Sequence, residues 1–200
     1  MDTTRPADEA AGAPTIDPDL QALALDTATE ARTYLETLQG LAQGGATESV
    51  LPVLLLALSQ IQAAGARLGA MVDVVPVERY EPDAGPDLDL DVLRGALVEL
   101  LRGVDDYAEV ADPVVSPTVG RADISGDLVS VAADLAHGLR HYAVGATTES
   151  LWWWQFSYLS SWGERSASAL RAVLALLAHV RLDADEEAVM EAEMAALHAP

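Results

Sequence analysis

Asp134, His137 and His141 are separated by three and four positions, the spacing that stacks side chains on one face of an α-helix. A carboxylate and two imidazoles so placed could begin a zinc or manganese site or supply an acid and a base for hydrolysis, with Asp127 an earlier oxygen donor on the same helix. A bound ion needs third and fourth ligands converging in a pocket. Leu128, Ala132, Leu135, Leu139 and Tyr142 mark the buried side of this helix, which leaves the histidines on a solvated polar face. The reading is therefore no metal and no cofactor, with Asp134, His137 and His141 as the weaker candidate. Other chemistry is harder to find. Asp105 and Asp106, like Glu186 and Glu187, are adjacent and so occupy different helix sectors, which does not make an acid-base couple. No Gly-x-Ser-x-Gly elbow and no glycine-rich phosphate loop is present.

The second concentration of unusual residues is aromatic. All the tryptophans and the only phenylalanine fall between Leu151 and Gly163, and aromatic side chains bury more area than other types, so this run is a packing centre or a binding surface. At 100° per residue, Leu151, Trp152, Gln155, Phe156, Leu159 and Trp162 share one arc, which predicts a core face. Trp153 shares its sector with Ser157, Ser160, Glu164 and Arg171, which predicts an outward indole, and Trp154 lies at the border. Trp153, Trp154 and Tyr158 are accordingly the candidate partner-binding residues, for an unidentified protein or for self-association.

These residues need helices to hold them. Residues 1–16 are rich in alanine, proline and acids without periodicity, as in a disordered acidic tail. Leu20, Leu23, Thr27, Ala31, Tyr34, Leu38 and Leu41 line a first helix stopped by Gly44 and Gly45. Thr47 or Ser49 caps a second, with Val53, Leu54, Ala57, Leu58, Ile61 and Leu68 inward. Proline and glycine make residues 74–87 a crossover. A third helix is predicted over residues 88–110, an irregular link over 112–122, a fourth helix from 123 or 125 to 145, and a fifth from 147 or 148 to about 180. Asp183 and Glu186 have capping-box spacing for a short terminal helix ending near Leu197. No segment shows sustained strand alternation. The expected architecture is all-α, a bundle domain of five main helices over residues 17–182 followed by a short acidic C-terminal helix over 183–200.

Composition limits the partners. The chain has 200 residues, half of them hydrophobic, enough for one core. Its formal net charge of -21 opposes direct nucleic-acid binding and anionic membranes, since both rely on basic side chains. Residues 50–58, the most apolar stretch, fall short of the ~20 residues that cross a bilayer. There is no cysteine, no lysine and no asparagine, and the N-terminus has no positive region leading into an apolar one. A cytoplasmic bacterial protein is expected.

The sequence resembles a bacterial family known as domain of unknown function 5063. The resemblance rests on Tyr107, Glu109, Asp112 and Pro113, on Asp127, Leu128, Asp134, Leu135, Gly138 and Leu139, and on Trp152, Trp154, Phe156, Trp162 and Gly163 followed by Ala169, Leu170, Arg171 and Ala172. It spans roughly residues 90–180. It implies an all-α protein without an assigned activity. Trp153 stands where the family pattern has glutamate, and Ser161 and Arg165 stand where it has two histidines, so a metal role would lack those ligands here. The resulting expectation is a non-catalytic interaction or accessory protein that binds through its aromatic helix. The alternatives are a metal-dependent or hydrolytic enzyme using the Asp/His face, and an acidic decoy for nucleic-acid-binding proteins.

Overall fold

Asp17 opens the first helix by accepting a hydrogen bond from the Asp19 amide at 2.9 Å, and Pro18 occupies the first turn, where its missing N–H costs nothing. The computed structural model describes residues 16–45, 49–76 and 85–197, with side chains to residue 182 and that of Met190. The expected tail lies outside these residues except for Ile16. Helix α1 (Pro18–Ala42) buries Ala24, Thr27, Ala28, Ala31, Tyr34, Leu38 and Leu41, the predicted face. Helix α2 (Val50–Ala70) buries Leu54, Ala57, Leu58, Ile61, Ala64, Gly65 and Leu68. By length and composition alone α2 would suffice to cross a membrane, more than the stretch 50–58 suggests. Its buried stripe packs on α1 and on the aromatic helix.

The predicted third helix is the largest departure. Helix α3 covers only Asp91–Leu100. The chain turns at Gly103, with φ 88°, and Asp106–Ala111 becomes strand β1, paired antiparallel with β2 (Thr118–Asp123). These strands are solvated on most of their surface, so they carry no apolar alternation for a pattern to detect, and the backbone ladder makes the pair. Asp123 then caps helix α4 (Ile124–Ala143), accepting from the Gly126 amide at 2.6 Å. Helix α4 is the central element, in contact with α1, α3 and both parts of the aromatic helix. Tyr34 of α1 reaches it, donating to the Leu128 carbonyl at 3.2 Å.

The aromatic helix is α5 (Thr147–Ser157), a π-helical turn (Tyr158–Trp162) and α6 (Gly163–Leu197). The separate C-terminal helix expected from Asp183 is not formed, because α6 continues through that position and needs no new cap. All-α remains the class, with the hairpin as the one sheet among the described residues.

Two glycines let these helices approach closely. A Cβ on Gly138 would lie 2.0 Å from the Trp154 indole nitrogen, and one on Gly65 would lie 2.4 Å from the Tyr158 ring. Gly95, on α3, has open space around it. Gly138→Ala is expected to cost at least ~1–3 kcal/mol, lowering the melting temperature by about 2–4 °C per kcal/mol. Gly95→Ala should leave the melting temperature unchanged or raise it, because alanine is the better helix former. Equal melting curves for the two variants would contradict this packing.

Candidate functional site

The rotation of α5 decides where every candidate residue goes. Trp154 is fully buried; its indole N–H donates to the Leu135 carbonyl at 3.2 Å, over Gly138. The border position assigned to it is corrected to the centre of the core. Trp153 then faces α4 as well. Its indole N–H donates to the Asp134 carbonyl at 2.9 Å, and its ring lies 4.0 Å from the His137 ring, centroid to centroid. The outward indole predicted for Trp153 is thus half-buried. Tyr158 is half-buried too, edge-on to Trp162 at 4.7 Å and against Gly65. Of the three candidates for partner binding, Trp154 is buried and Trp153 and Tyr158 are half-buried.

The physical reason is that serine, not hydrocarbon, fills part of the buried side. Ser150 and Ser157 are buried, and their hydroxyls donate to the Ala146 and Trp153 carbonyls at 2.9 and 2.6 Å. Ser157 also accepts from the Trp162 indole at 3.1 Å. A hydroxyl satisfied by its own helix can be buried without loss. The apolar residues are displaced to the surface: Phe156 is 52% exposed, Leu159 is 64% exposed, and Trp152 is half-buried, stacked on Phe156 at 5.8 Å.

Those three face the segment that leaves α2. Val74, Val75 and Pro76 form the opposite wall of an open groove of about 480 Å³ whose surface is mostly apolar. Gln155 holds that wall in place. Its buried amide accepts from the Val74 N–H at 2.7 Å and donates to the carbonyls of Leu68 at 2.9 Å and Val72 at 3.4 Å. A side chain with both donor and acceptor matched to main chain fixes a segment that has no ladder of its own.

The Asp/His face is not the solvated surface expected. His141 is buried, and His137 lies between it, at 5.1 Å, and Trp153. The Asp134 carboxylate turns away and accepts from Ser161 at 3.0 Å, whereas His137 faces Arg140 and Asp87. Arg140 donates to Asp87 at 2.7 Å and holds that carboxyl below its ordinary value. Among the described residues no three carboxylates or imidazoles converge as a metal site requires. The histidines are drawn inward because an aromatic helix, absent from any single-helix wheel, covers them.

Sequence reasoning missed a polar network at the junction of the hairpin with the bundle. Tyr107 of β1 donates to Asp127 of α4 at 2.5 Å, and Arg165 of α6 donates to the other oxygen of Asp127 at 3.1 Å. Beside it, Glu109, Ser160, Ser161, Glu164 and Arg165 line a small polar cleft of about 210 Å³. Arg171 donates to the Ala108 carbonyl at 3.1 Å. Burial raises the Asp127 carboxyl above its ordinary value, against the opposing pull of Tyr107 and Arg165, and burial likewise raises Asp134. Tyr107 is also raised, by burial and by its bond to Asp127, so it remains a donor. The network fastens the hairpin. It also gathers residues far apart in sequence that carry the family resemblance, namely Tyr107, Glu109, Asp127 and Asp134, around the departures Ser161 and Arg165.

Residues 18–179 match the family described as Domain of unknown function (DUF5063), from the start of α1 to the middle of α6. The chain belongs to this family. The crystal structure of protein BF1032 from Bacteroides fragilis is similar in fold to this DUF5063 chain, with a TM-score of 0.61 at 17% identity, covering 77% of this chain and 91% of that one. No curated protein matches in sequence. The DUF5063 match and the shared fold agree with the all-α expectation and assign no activity.

The Asp127 position makes a pH test available. Its folded-state pKa is raised, so its contribution to stability is full below the ordinary carboxylate value and is lost as pH rises through the folded value. Asp127→Asn can still accept from Tyr107 and does not ionise. In urea unfolding at stepped pH, the variant should gain stability relative to wild type as pH rises from below ~3.9 to neutrality. A shift in favour of wild type over that range would mean that Arg165 outweighs burial.

Proposed function

We propose that this DUF5063 protein is a non-catalytic interaction protein, and that its binding surface is the groove of Trp152, Phe156 and Leu159 against Val74–Pro76. The single observation that carries the reading is an aromatic helix with its most apolar face turned outward beside a wall that Gln155 pre-positions. Phe156 and Leu159 remain exposed although α4 and α2 bury less apolar residues of the same helix. The occupant we propose is a segment of a basic partner protein that offers apolar side chains. Charge selects it, because a second copy would bring another chain of net charge -21 against the first. Asp73 at the groove rim adds to that preference. Apolar lining favours this reading over an acidic decoy, whose contacts would be ionic. It also favours it over an enzyme using Asp134, His137 and His141, because the Asp134 carboxylate turns to Ser161 and His141 is buried.

The test uses a short synthetic peptide of alternating lysine and leucine, followed by tryptophan fluorescence. Phe156→Glu and Leu159→Glu add negative charge and would strengthen purely ionic attraction. If the groove binds the peptide, each variant weakens it, by about tenfold or more, ~1.4 kcal/mol, with the melting temperature retained because both positions are exposed. Val114→Glu, on the exposed hairpin turn and outside the groove lining, should bind as wild type does. Unchanged or tighter binding by the two groove variants would refute the proposal.

A further inference from the structure

We infer that α6 is a self-association surface: two copies of this chain pair their α6 helices antiparallel about Leu182, the acidic end of each helix lying on the arginine-bearing stretch of the other. The inference is independent of the groove. Helix α6 runs to Leu197, whereas the family match stops at residue 179. Ala169, Ala172, Val173 and Leu177 are buried on its inner side, which packs on α2 and α4. On the other side Arg171, Ala175, His179 and Leu182 are exposed, Leu182 by 61%. Steps of three and four place these residues in one stripe. The helix carries that stripe onward through the positions of Glu186, Val189 and Glu193.

Charge is divided along the helix. Residues 165–182 contain Arg165, Arg171, His179 and Arg181 and no carboxylate, whereas residues 183–197 contain Asp183, Asp185, Glu186, Glu187, Glu191 and Glu193 and no cation. A net charge of -21 opposes a second copy in general. Antiparallel pairing of α6 is the alignment that brings opposite signs together. Arg171 and Glu193 each lie eleven residues from Leu182, in opposite directions, and Ala175 and Val189 each lie seven. A two-fold axis at Leu182 therefore sets Arg171 of each copy opposite Glu193 of the other, Ala175 opposite Val189, and the two Leu182 side chains against each other. Antiparallel helices also bring unlike dipole ends together. Val110 and Pro113 of the hairpin share a cleft with Ala167, Ser168 and Arg171, and Arg171 donates to Ala108, so the hairpin bounds the open stripe at Arg171. The acidic arm has the matching length, since Glu193 falls level with Arg171 and α6 ends four residues later. A basic partner helix would suit the acidic arm and be repelled by Arg171 and Arg181. A second copy suits both halves.

Analytical ultracentrifugation of the full chain over a concentration series tests the pairing. Wild type should pass from monomer to dimer. Leu182→Glu sets two carboxylates at the axis, Arg171→Glu sets carboxylates against Glu193, and Glu193→Arg sets cations against Arg171. Each should weaken the dimer by about tenfold or more. Leu182→Glu should keep the wild-type melting temperature, because the position is exposed. The double variant Arg171→Glu/Glu193→Arg exchanges the two charges and should restore the dimer. Within one chain the two positions are ~33 Å apart along the helix, so they can compensate only between copies. A wild type that stays monomeric up to ~1 mM, a dimer indifferent to Leu182→Glu, or a double variant no better than the single ones would overturn the inference.

Discussion

The contact between the Trp154 indole and Gly138 sets the arrangement of everything around the aromatic helix. An indole seated where a Cβ would clash allows α4 and α5 to approach at one rotation only, and the N–H bond to Leu135 locks that rotation. Neighbouring residues follow from it. Trp153 is carried onto His137, Gln155 is carried to the end of α2, and Trp152 and Phe156 are left facing outward. The π-helical turn then adds a residue before α6, so that Trp162 and Ser166 continue the buried side below Trp154. Leu159 and Ser160, within the turn, border the apolar groove, and Ser160 also borders the polar cleft.

How much of this was legible in the sequence depended on whether a residue's fate was local. The buried faces of α1 and α2 follow the three-and-four spacing of Thr27 through Leu41 and of Leu54 through Leu68, and the caps at Asp17 and Asp123 are side-chain chemistry within a few residues. The hairpin was not legible, because Tyr107 and Glu109 point inward among polar neighbours and their strand exists only through pairing with residues 118–123. The face of α5 was misread for the opposite reason. Hydropathy alone makes Trp152, Phe156 and Leu159 core and Ser157 surface, whereas the back-bonded hydroxyl of Ser157 lets it take the buried side. His141 looked solvated until the helix that covers it was in place.

The two surfaces next to the π-turn differ in kind. Around Asp127 the polar groups satisfy one another, Tyr107 and Arg165 each taking one carboxylate oxygen, and the product is a tether between hairpin and bundle. In the groove the apolar groups are left uncovered by the described residues, while its wall is held by a buried amide. A surface of this sort is maintained at a cost in solvation, which an interaction would recover. The signal in the sequence was the aromatic run; its exposed residues are Phe156 and Leu159, and half-buried Trp152, not Trp153, lines the groove with them.

The most direct measurement follows the four indole N–H resonances of the protein by NMR while the lysine-leucine peptide is added. The account predicts the largest shift at Trp152, with Trp154 and Trp162 unmoved in the core and Trp153 held on Asp134. A dominant shift at Trp153 with Trp152 stationary, or peptide binding with no indole moving, would contradict it.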